Sequence, residues 1–308
     1  MMENIFKKIG SIMRGQLYFE TGKSYKETVL LCGSGRSGTT WLAEILNNDN
    51  TFRYMFEPFH PDHVKIVKHF SSRQYIQNIN KSKEFLVPAS MIFSGRIRNL
   101  WIDRYNKNIW PNRRLIKDIR INLFLRWIKI NFPYIPIVFM LRHPFSVACS
   151  RIRLGWKDHL NSFYKQKHLA NDFLIINNDL YSYIETDFER QILMWCIENY
   201  VPLKTLKKDE MYIIFYEKLL TNPVKEITRL FDFLNLSVSD YLFNKIKNPS
   251  QMTKNNSPLM TGENPLTYWE KIISFEQRRN ALKILEKFGL DEIYDDEALP
   301  NISGLENI

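Results

Sequence analysis

The sequence predicts an α/β fold in which a doubly wound parallel sheet carries helices on both faces. Short, continuously apolar runs recur along the chain, such as VLLC at 29–32 and IVFML at 137–141. Such runs are typical of strands buried on both faces. Each run is followed, after a short connection, by a segment with helical periodicity. Repeated strand-then-helix units with short connections favour a parallel sheet of this kind.

Each predicted strand ends where a turn residue or a helical pattern begins. The first strand ends at a glycine-rich turn and the second at Pro58, and Gly289 caps the last helix. We predict strands at 27–32, 53–57, 114–121, 135–141 and 212–216. We predict helices at 39–46, 62–80, 123–132, 145–154, 187–206, 224–234 and 274–288. We expect a long excursion or lid at 157–185 and a loop at 248–265.

The composition is that of a globular protein with an affinity for anions. The chain has 308 residues, enough for one large domain, and its formal net charge is +10. This charge favours anionic ligands such as nucleotides, acidic glycans or nucleic acid. Cys32, Cys149 and Cys196 are widely spaced in apolar contexts and without metal-ligand spacing. They predict reduced core thiols, and hence a cytoplasmic protein with no metal site.

The N-terminus leaves two interpretations open. It contains no uninterrupted apolar segment of the roughly 18 residues that a membrane span needs, so we expect no transmembrane helix. Apolar and basic side chains nevertheless alternate there at helical spacing. The apolar ones are Ile5, Ile9, Ile12 and Met13, and the basic ones are Lys7, Lys8 and Arg14. This pattern predicts either a weak membrane-surface helix or a helix packed on its own domain.

The connection after the first strand has the residues of a phosphate-binding loop. It reads GSGRSGTT at 33–40, between a buried strand and a helix, where backbone N–H groups and the helix N-terminus attract a phosphate. The predicted sheet is therefore P-loop-like. Thr39 replaces the lysine of an ATP-binding loop, which disfavours a kinase, and Arg36 supplies the positive charge instead. The alternative is a tight turn without a ligand.

Two blocks resemble PAPS-dependent sulfotransferases. RSGTTWL at 36–42 is similar to their 5′-phosphosulfate loop, and LRHPFSVACSR at 141–151 is similar to their 3′-phosphate element. The resemblance implies that Arg142 and Ser150 bind the 3′-phosphate of PAPS, which is released as PAP, and that no metal is required. It assigns the 5′-phosphosulfate to Gly35, Arg36, Ser37, Gly38, Thr39, Thr40 and Trp41.

The resemblance touches most of 27–290, including YEKLLTNPVKEITRLFDFLNL at 216–236 and, weakly, the region of Trp269. It implies a single sulfotransferase domain at 27–290, between an N-terminal segment at 1–26 and a C-terminal tail at 291–308.

The catalytic base separates two branches of that family. In the cytosolic small-molecule members a strand ends in Lys-Thr-His, and the histidine is the base. Here the counterpart is Lys117, Asp118 and Ile119, so the chain resembles the carbohydrate-modifying branch, where a glutamate near the second strand is the base. Glu57 fits that position, and we expect partial burial to raise its pKa.

Other assignments around this glutamate stay open. His60 and Asp118 remain alternative bases. Lys117 and Arg36 would stabilise charge on the sulfuryl group during transfer. Arg120 is predicted on the same strand face as Asp118, where it contacts an acidic acceptor or pairs locally.

We therefore expect an O-sulfotransferase whose acceptor is a small molecule or a glycan. The basic charge and the aromatic excursion suit a sugar or another polyhydroxy metabolite. The alternatives are a nucleotide-dependent P-loop kinase and a non-enzymatic polyanion-binding protein. Lys and Arg are scattered among acidic residues and no nucleic-acid-binding motif is present, so we expect no nucleic-acid partner.

Overall fold

The computed structural model describes residues 15–174, 178–238, 242, 253 and 257–308. The N-terminal helix considered above lies outside these residues. The described strands are β1 Thr28–Gly33, β2 Phe52–Phe56, β3 Arg113–Asp118, β4 Ile137–Leu141 and β5 Tyr212–Phe215. They form a parallel sheet in the order β2-β3-β1-β4-β5, flanked by helices, as predicted.

The sheet has the order of a doubly wound fold. β2 and β3 lie on one side of β1, and β4 and β5 lie on the other, so the strand order reverses at β1. β1 and β4 are buried along their whole length, which explains their uninterrupted apolar sequence. In the parallel register, Leu115 of β3 lies opposite Val29 of β1 and Tyr54 of β2. Open sheets of this kind bind ligands at the reversal point.

The helices begin at the signals present in the sequence. Thr186 and Ser274 form capping boxes, Pro144 and Pro223 occupy first turns, and Gly289, with φ of 66°, follows the last helix. The longer helices are α1 Thr39–Leu46, α2 Lys83–Phe93, α3 Leu125–Asn131, α4 Pro144–Arg153, α7 Asp187–Thr205, α9 Pro223–Phe233 and α11 Phe275–Lys287. The shorter ones are α5 Leu160–Tyr164, α6 Lys167–Leu169, α8 Tyr216–Thr221 and α10 Pro258–Thr261.

The connections contain further helical turns. The 3-10 turns are Tyr25–Glu27, Lys65–Val67, Asn122–Phe124, Asn178–Tyr183, Tyr268–Lys271 and Ile302–Glu306, and Ala170–Leu174 is a π turn. The predicted excursion at 157–185 therefore consists, where it is described, of short helical pieces. Of the loop predicted at 248–265, residues 253 and 257–265 are described, and they include the short helix α10; the remainder lies outside the described residues.

Two predictions of secondary structure are wrong. The helix expected at 62–80 is only a 3-10 turn, Lys65–Val67. Beyond it, the Ser71 N–H donates to Oε1 of Gln74 at 3.0 Å and Arg73 has φ of 74°, so local bonds replace helical ones. β3 ends at Asp118 rather than at 121, because the Asp118 carboxylate accepts the Arg120 N–H at 2.9 Å and turns the chain. Arg120 therefore does not share a strand face with Asp118.

The described chain divides into two compact units. The first unit comprises the residues up to Cys32, Leu42–Phe139 and Lys208–Tyr212. Its core includes the rings of Phe59, Phe93 and Phe124 in edge and tilted contacts.

The second unit comprises the described residues of Gly33–Trp41, Met140–Lys207 and Ile213–Ile308. In it α4 and α11 pack on α7, with Trp195 and Trp269 fully buried. The single domain expected at 27–290 stays a prediction. No described helix is both long enough and apolar enough to cross a membrane.

Candidate active site

The glycine-rich loop of the second unit is shaped by two glycines. Gly33 has φ of 150°, and a Cβ there would lie 2.4 Å from the carbonyl oxygen of Met140. Gly38 has φ of 97°, and a Cβ there would lie 2.7 Å from the Tyr216 ring. Neither position accepts a side chain without displacement. The loop leads into α1, where Thr39 is buried, Thr40 is half-buried and Trp41 contacts the Tyr216 ring edge-on at 5.8 Å.

The structure brings together three of the predicted donor-binding side chains. Nε of Arg36 donates to Oγ of Ser150 at 3.1 Å, and Nη1 of Arg142 donates to the Arg36 carbonyl at 3.1 Å. The Arg142 guanidinium lies over the Tyr216 ring, 4.1 Å from its centroid. Trp195 donates its indole N–H to the Arg142 carbonyl at 3.1 Å. Arg142 is thereby fixed at the end of β4 beside the loop.

This cluster is strongly cationic. Burial, followed by the charges of Arg142 and Arg153, lowers the pKa of Arg36 to about 10, and none of the main causes is a carboxylate. Within the described ranges, none of these three arginines forms an ion pair. Three buried donors also lack a partner there, Oγ of Ser37 and the Nε atoms of Arg142 and Arg153. Clustered like charges with unmet donors are typical of an anion site, because the ligand supplies the missing acceptors.

A buried ion pair supports the loop, and no local sequence pattern predicts it. Nη2 of Arg151 donates to Oε2 of Glu198 at 2.6 Å, and Nε of Arg151 donates to the Gly35 carbonyl at 3.1 Å. Glu198 Oε2 also accepts the Ser34 hydroxyl at 2.8 Å. Both charges are almost fully buried, so these contacts hold the loop backbone in place. Arg151 follows Ser150 in the recognised motif, but its partner lies on α7, more than forty positions away.

A second cluster surrounds Glu57 in the first unit. Glu57 follows β2 directly and is 6% exposed. Its Oε1 accepts from Nζ of Lys117 at 2.6 Å, and its Oε2 accepts from Nη1 of Arg120. Lys117 lies near the end of the neighbouring strand β3, and its carbonyl accepts the Glu57 N–H at 2.8 Å. The structure therefore places Glu57 and Lys117 in direct contact, and Arg120 pairs locally.

The expected rise in the pKa of Glu57 is wrong for this structure. Burial raises the pKa, but Lys117 and Arg120 together outweigh it and lower the pKa of Glu57 to about 2. The carboxylate is therefore ionised throughout the physiological range. Any loss of one of these two cations from Glu57 would raise its pKa.

The two alternative bases have different surroundings. Asp118 is fully buried and accepts the N–H groups of Phe59, at 2.8 Å, and of Arg120, at 2.9 Å. Burial, and then the charge of Glu57, raise the pKa of Asp118 to about 6. The Asp118 carboxylate therefore stabilises the two chain turns that contain Phe59 and Arg120. His60 is half-buried, and burial followed by the charge of Arg120 lowers its pKa to about 4, so its ring is neutral at physiological pH.

Over the described residues, no group of three or more His, Cys, Asp and Glu side chains could hold a metal ion.

Comparison with solved structures finds sulfotransferases. The sulfotransferase domain from the Synechococcus PCC 7002 olefin synthase has a TM-score of 0.48 and 16% identity, over 88% of this chain and 96% of that one. A mouse sulfotransferase complexed with PAP has a TM-score of 0.46 and 16% identity, over 96% of this chain and 93% of that one. Retinol dehydratase in complex with androsterone and inactive cofactor PAP has a TM-score of 0.44 and 16% identity, over 95% and 88%.

Comparison with curated proteins returns no match. The model of the sulfotransferase family, by contrast, matches residues 28–240. That range covers well over half of the chain and contains the glycine-rich loop, Arg142, Ser150, Glu57 and Lys117. This match agrees with the two sequence blocks at 36–42 and 141–151 and with the parallel sheet. The chain therefore belongs to the sulfotransferase family of transferases.

Proposed function

We propose that this protein transfers a sulfuryl group from PAPS to an acceptor hydroxyl and releases PAP. The observation that carries the proposal is the Arg36, Ser150 and Arg142 cluster, in which clustered guanidinium groups lack carboxylate partners among the described residues. Family membership favours sulfuryl transfer over the kinase and the polyanion-binding alternatives.

The residues present fit a nucleotide with two anionic ends. The backbone of the loop and the N-terminus of α1 suit the 5′-phosphosulfate, together with Arg36 and the unpartnered Ser37 hydroxyl. Arg142 and Ser150 suit the 3′-phosphate, because both contact Arg36 and both offer a donor, the unpartnered Nε of Arg142 and the Ser150 hydroxyl. When bound, PAPS would supply the electrophilic sulfuryl group.

The catalytic assignment rests on the Glu57 cluster. Glu57 is ionised, and a carboxylate oxygen would accept the proton of an attacking hydroxyl when Lys117 or Arg120 turns from it to the substrate, because loss of either cation raises the pKa of Glu57. Lys117 contacts that carboxylate and would stabilise negative charge in the transition state, as would Arg36. His60 remains the alternative base in this proposal.

The acceptor class and the cellular location also belong to the proposal. A glycan or another polyhydroxy metabolite suits the net charge of +10. A reducing, cytoplasmic setting suits three buried free thiols, Cys32, Cys149 and Cys196.

The proposal is tested by incubating the protein with radiolabelled PAPS and a panel of glycans, polyols and phenols, with and without EDTA. We expect label in at least one hydroxyl acceptor, and equal transfer when EDTA is present. The proposal would be refuted if no acceptor of the panel took up label and calorimetry showed no measurable binding of PAP.

The base is tested with Glu57→Gln. The amide still accepts a hydrogen bond but does not take up a proton, so we expect turnover to fall by about 10² to 10⁴. Affinity for PAP should not change, which also confirms that the variant folds. His60→Asn is the matched variant and should keep most of its turnover. Normal turnover in Glu57→Gln with loss in His60→Asn would assign the base to His60.

A further inference from the structure

The first unit contains an open pocket that the donor assignment does not use. Its volume is about 550 Å³. It is lined by His63, Asn99, Leu100, Trp101 and Arg104. The wall is an ordered stack, because the His63 ring lies on the Trp101 ring with centroids 3.6 Å apart and the Arg104 guanidinium lies 4.0 Å from the same centroid.

Arg104 is the unusual member of this wall. Its Nε is buried without a hydrogen-bond partner, and no carboxylate in the described ranges pairs with it. A half-buried guanidinium with an unmet donor is unfavourable unless a ligand supplies an acceptor. The stack on Trp101 fixes the plane of the guanidinium, which is the preorganisation that two-pronged binding of a carboxylate or sulfate requires.

The pocket wall is attached to the residue that we propose as base. The Trp101 indole N–H donates to the carbonyl of Glu57 at 3.3 Å. The Phe56 ring, one residue earlier, lies 5.8 Å from the Arg104 guanidinium and 4.8 Å from Nζ of Lys117. Since both distances are measured from the centroid of the Phe56 ring, the Arg104 guanidinium and Nζ of Lys117 are separated by no more than their sum. A small acceptor could reach both the pocket and the Glu57 carboxylate.

A polar residue fixes this geometry. Oδ1 of Asn99 accepts a hydrogen bond from the backbone N–H of Trp101 at 2.7 Å, and Nδ2 of Asn99 donates to the backbone carbonyl of His63 at 3.2 Å. Asn99 thus connects the two stacked residues through their backbones, and the rings do not depend on the ligand for their placement.

We propose that this pocket binds an anionic group of the acceptor, a carboxylate or a sulfate ester, and that Arg104 determines this specificity. The inference rests on the proposed function, because it names the class of the acceptor. An apolar ligand would leave the Arg104 donor unmet, and a cationic one would be repelled. An acidic saccharide and an acidic phenol share the required group, so the test includes both.

Calorimetric binding of matched probes tests the proposal without turnover. The pairs are 4-nitrophenyl glucuronide against 4-nitrophenyl glucoside, and 4-hydroxybenzoate against 4-hydroxybenzamide. We expect the acidic member of at least one pair to bind about 10- to 100-fold more tightly, the range of one charge-assisted contact. Preference within the first pair assigns an acidic sugar, and preference within the second assigns an acidic phenol.

Arg104→Gln should abolish the acid preference and leave PAP affinity unchanged. Arg104→Lys keeps the charge without the planar fork and should retain part of the preference. Arg96→Gln removes an exposed arginine of the same unit that does not line the pocket, and it should behave as the wild type. An unchanged acid preference in Arg104→Gln, or a loss of PAP affinity, would overturn the proposal.

The two proposals fail in different ways. Acid-selective binding that depends on Arg104, with neither transfer of label from PAPS nor measurable binding of PAP, would leave the anion site standing and refute the proposed function. Transfer of label with equal binding of acidic and neutral probes would support the proposed function and refute the anion site.

Discussion

At the residue scale, Arg36 and Glu57 share a backbone conformation that non-glycine residues rarely adopt. Arg36 has φ of 78° and Glu57 has φ of 44°. Such residues cost about 1 to 3 kcal/mol each and persist only where their surroundings hold them. Contacts do hold them here, since the Arg36 carbonyl accepts from Arg142 and the Glu57 N–H donates to the Lys117 carbonyl. Both strained residues are ones that we propose to act in transfer.

The Lys117 contact sets the basicity of Glu57, and this can be measured directly. Of the two cations beside Glu57, Lys117 lowers the pKa of this carboxylate more than Arg120 does. Lys117→Met removes that charge, so we expect the pKa of Glu57 to rise clearly above about 2. The carboxylate would then take up its proton at a higher pH than in the wild type. A ¹³C NMR titration of glutamate-labelled protein, with the Glu57 signal assigned by its absence in Glu57→Gln, measures this shift.

The matched control is Lys117→Arg, which keeps a cation beside Glu57 and should keep its pKa low. An unchanged pKa of Glu57 in Lys117→Met would mean that Arg120 alone keeps the carboxylate ionised. Lys117 would then have no role in setting the basicity of Glu57.

At the element scale, β2, which precedes Glu57, and β3, which carries Lys117, are joined by buried charges. Arg53 of β2 and Arg114 of β3 lie opposite each other in the parallel register, and both are fully buried. Glu20 pairs with both, through Oε2 to Arg53 at 2.7 Å and through Oε1 to Arg114. Asp103 adds a second carboxylate to Arg53 at 2.9 Å. Glu20 therefore bridges two adjacent cations inside the first unit, and Asp103 supplies the second negative charge.

Loss of this carboxylate should destabilise the fold. Glu20→Gln leaves Arg53 and Arg114 side by side with one negative charge fewer, and we expect the free energy of unfolding to fall by about 3 to 5 kcal/mol. Glu27→Gln is the matched control, because Glu27 reaches the same Arg114 at 3.6 Å but its side chain is 39% exposed. We expect it to cost less than about 1 kcal/mol. Urea denaturation followed by circular dichroism compares the two, and equal losses would contradict the proposed role of Glu20.

Elements with a strong local signal were predictable from the sequence. β1, α1 and β4 were found within two residues of their ends, because an apolar run, a glycine turn and a helix start coincide there. The segment at 62–80 has apolar residues near helical spacing, but side-chain bonds such as that of Gln74 decide its conformation. α2 lies in a stretch for which the sequence supported no prediction, and it contains an internal proline, Pro88.

At the scale of the whole molecule, pairings between distant residues escaped prediction. Motifs indicated Arg36, Arg142 and Ser150, and the structure brings these side chains together. No local pattern pairs Arg151 with Glu198 or Glu20 with Arg114, because such pairs depend on how the elements pack. The low pKa of Glu57 depends in the same way on its two partners, whereas its position before Pro58 indicated only burial.

Arg151 and Arg142 should contribute differently to the stability of the whole molecule. Arg151 neutralises the buried Glu198, so Arg151→Ala should lower the free energy of unfolding by about 3 to 5 kcal/mol in the absence of ligand. Arg142 lies among like charges and has no carboxylate partner in the described part of the chain, so Arg142→Ala loses only the contacts with the Arg36 carbonyl and the Tyr216 ring and should lower the ligand-free Tm far less than Arg151→Ala does. Differential scanning fluorimetry without ligand distinguishes them.

Added PAP completes this comparison. A ligand that binds only the folded state at about 100 times its Kd stabilises that state by about 2.7 kcal/mol, so PAP should raise the Tm of the wild type by several degrees. Arg142→Ala should lose most of this rise, because the 3′-phosphate loses its charged donor. A full Tm rise with PAP in Arg142→Ala would remove Arg142 from the donor site. A low ligand-free Tm in that variant would instead show that Arg142 serves the fold.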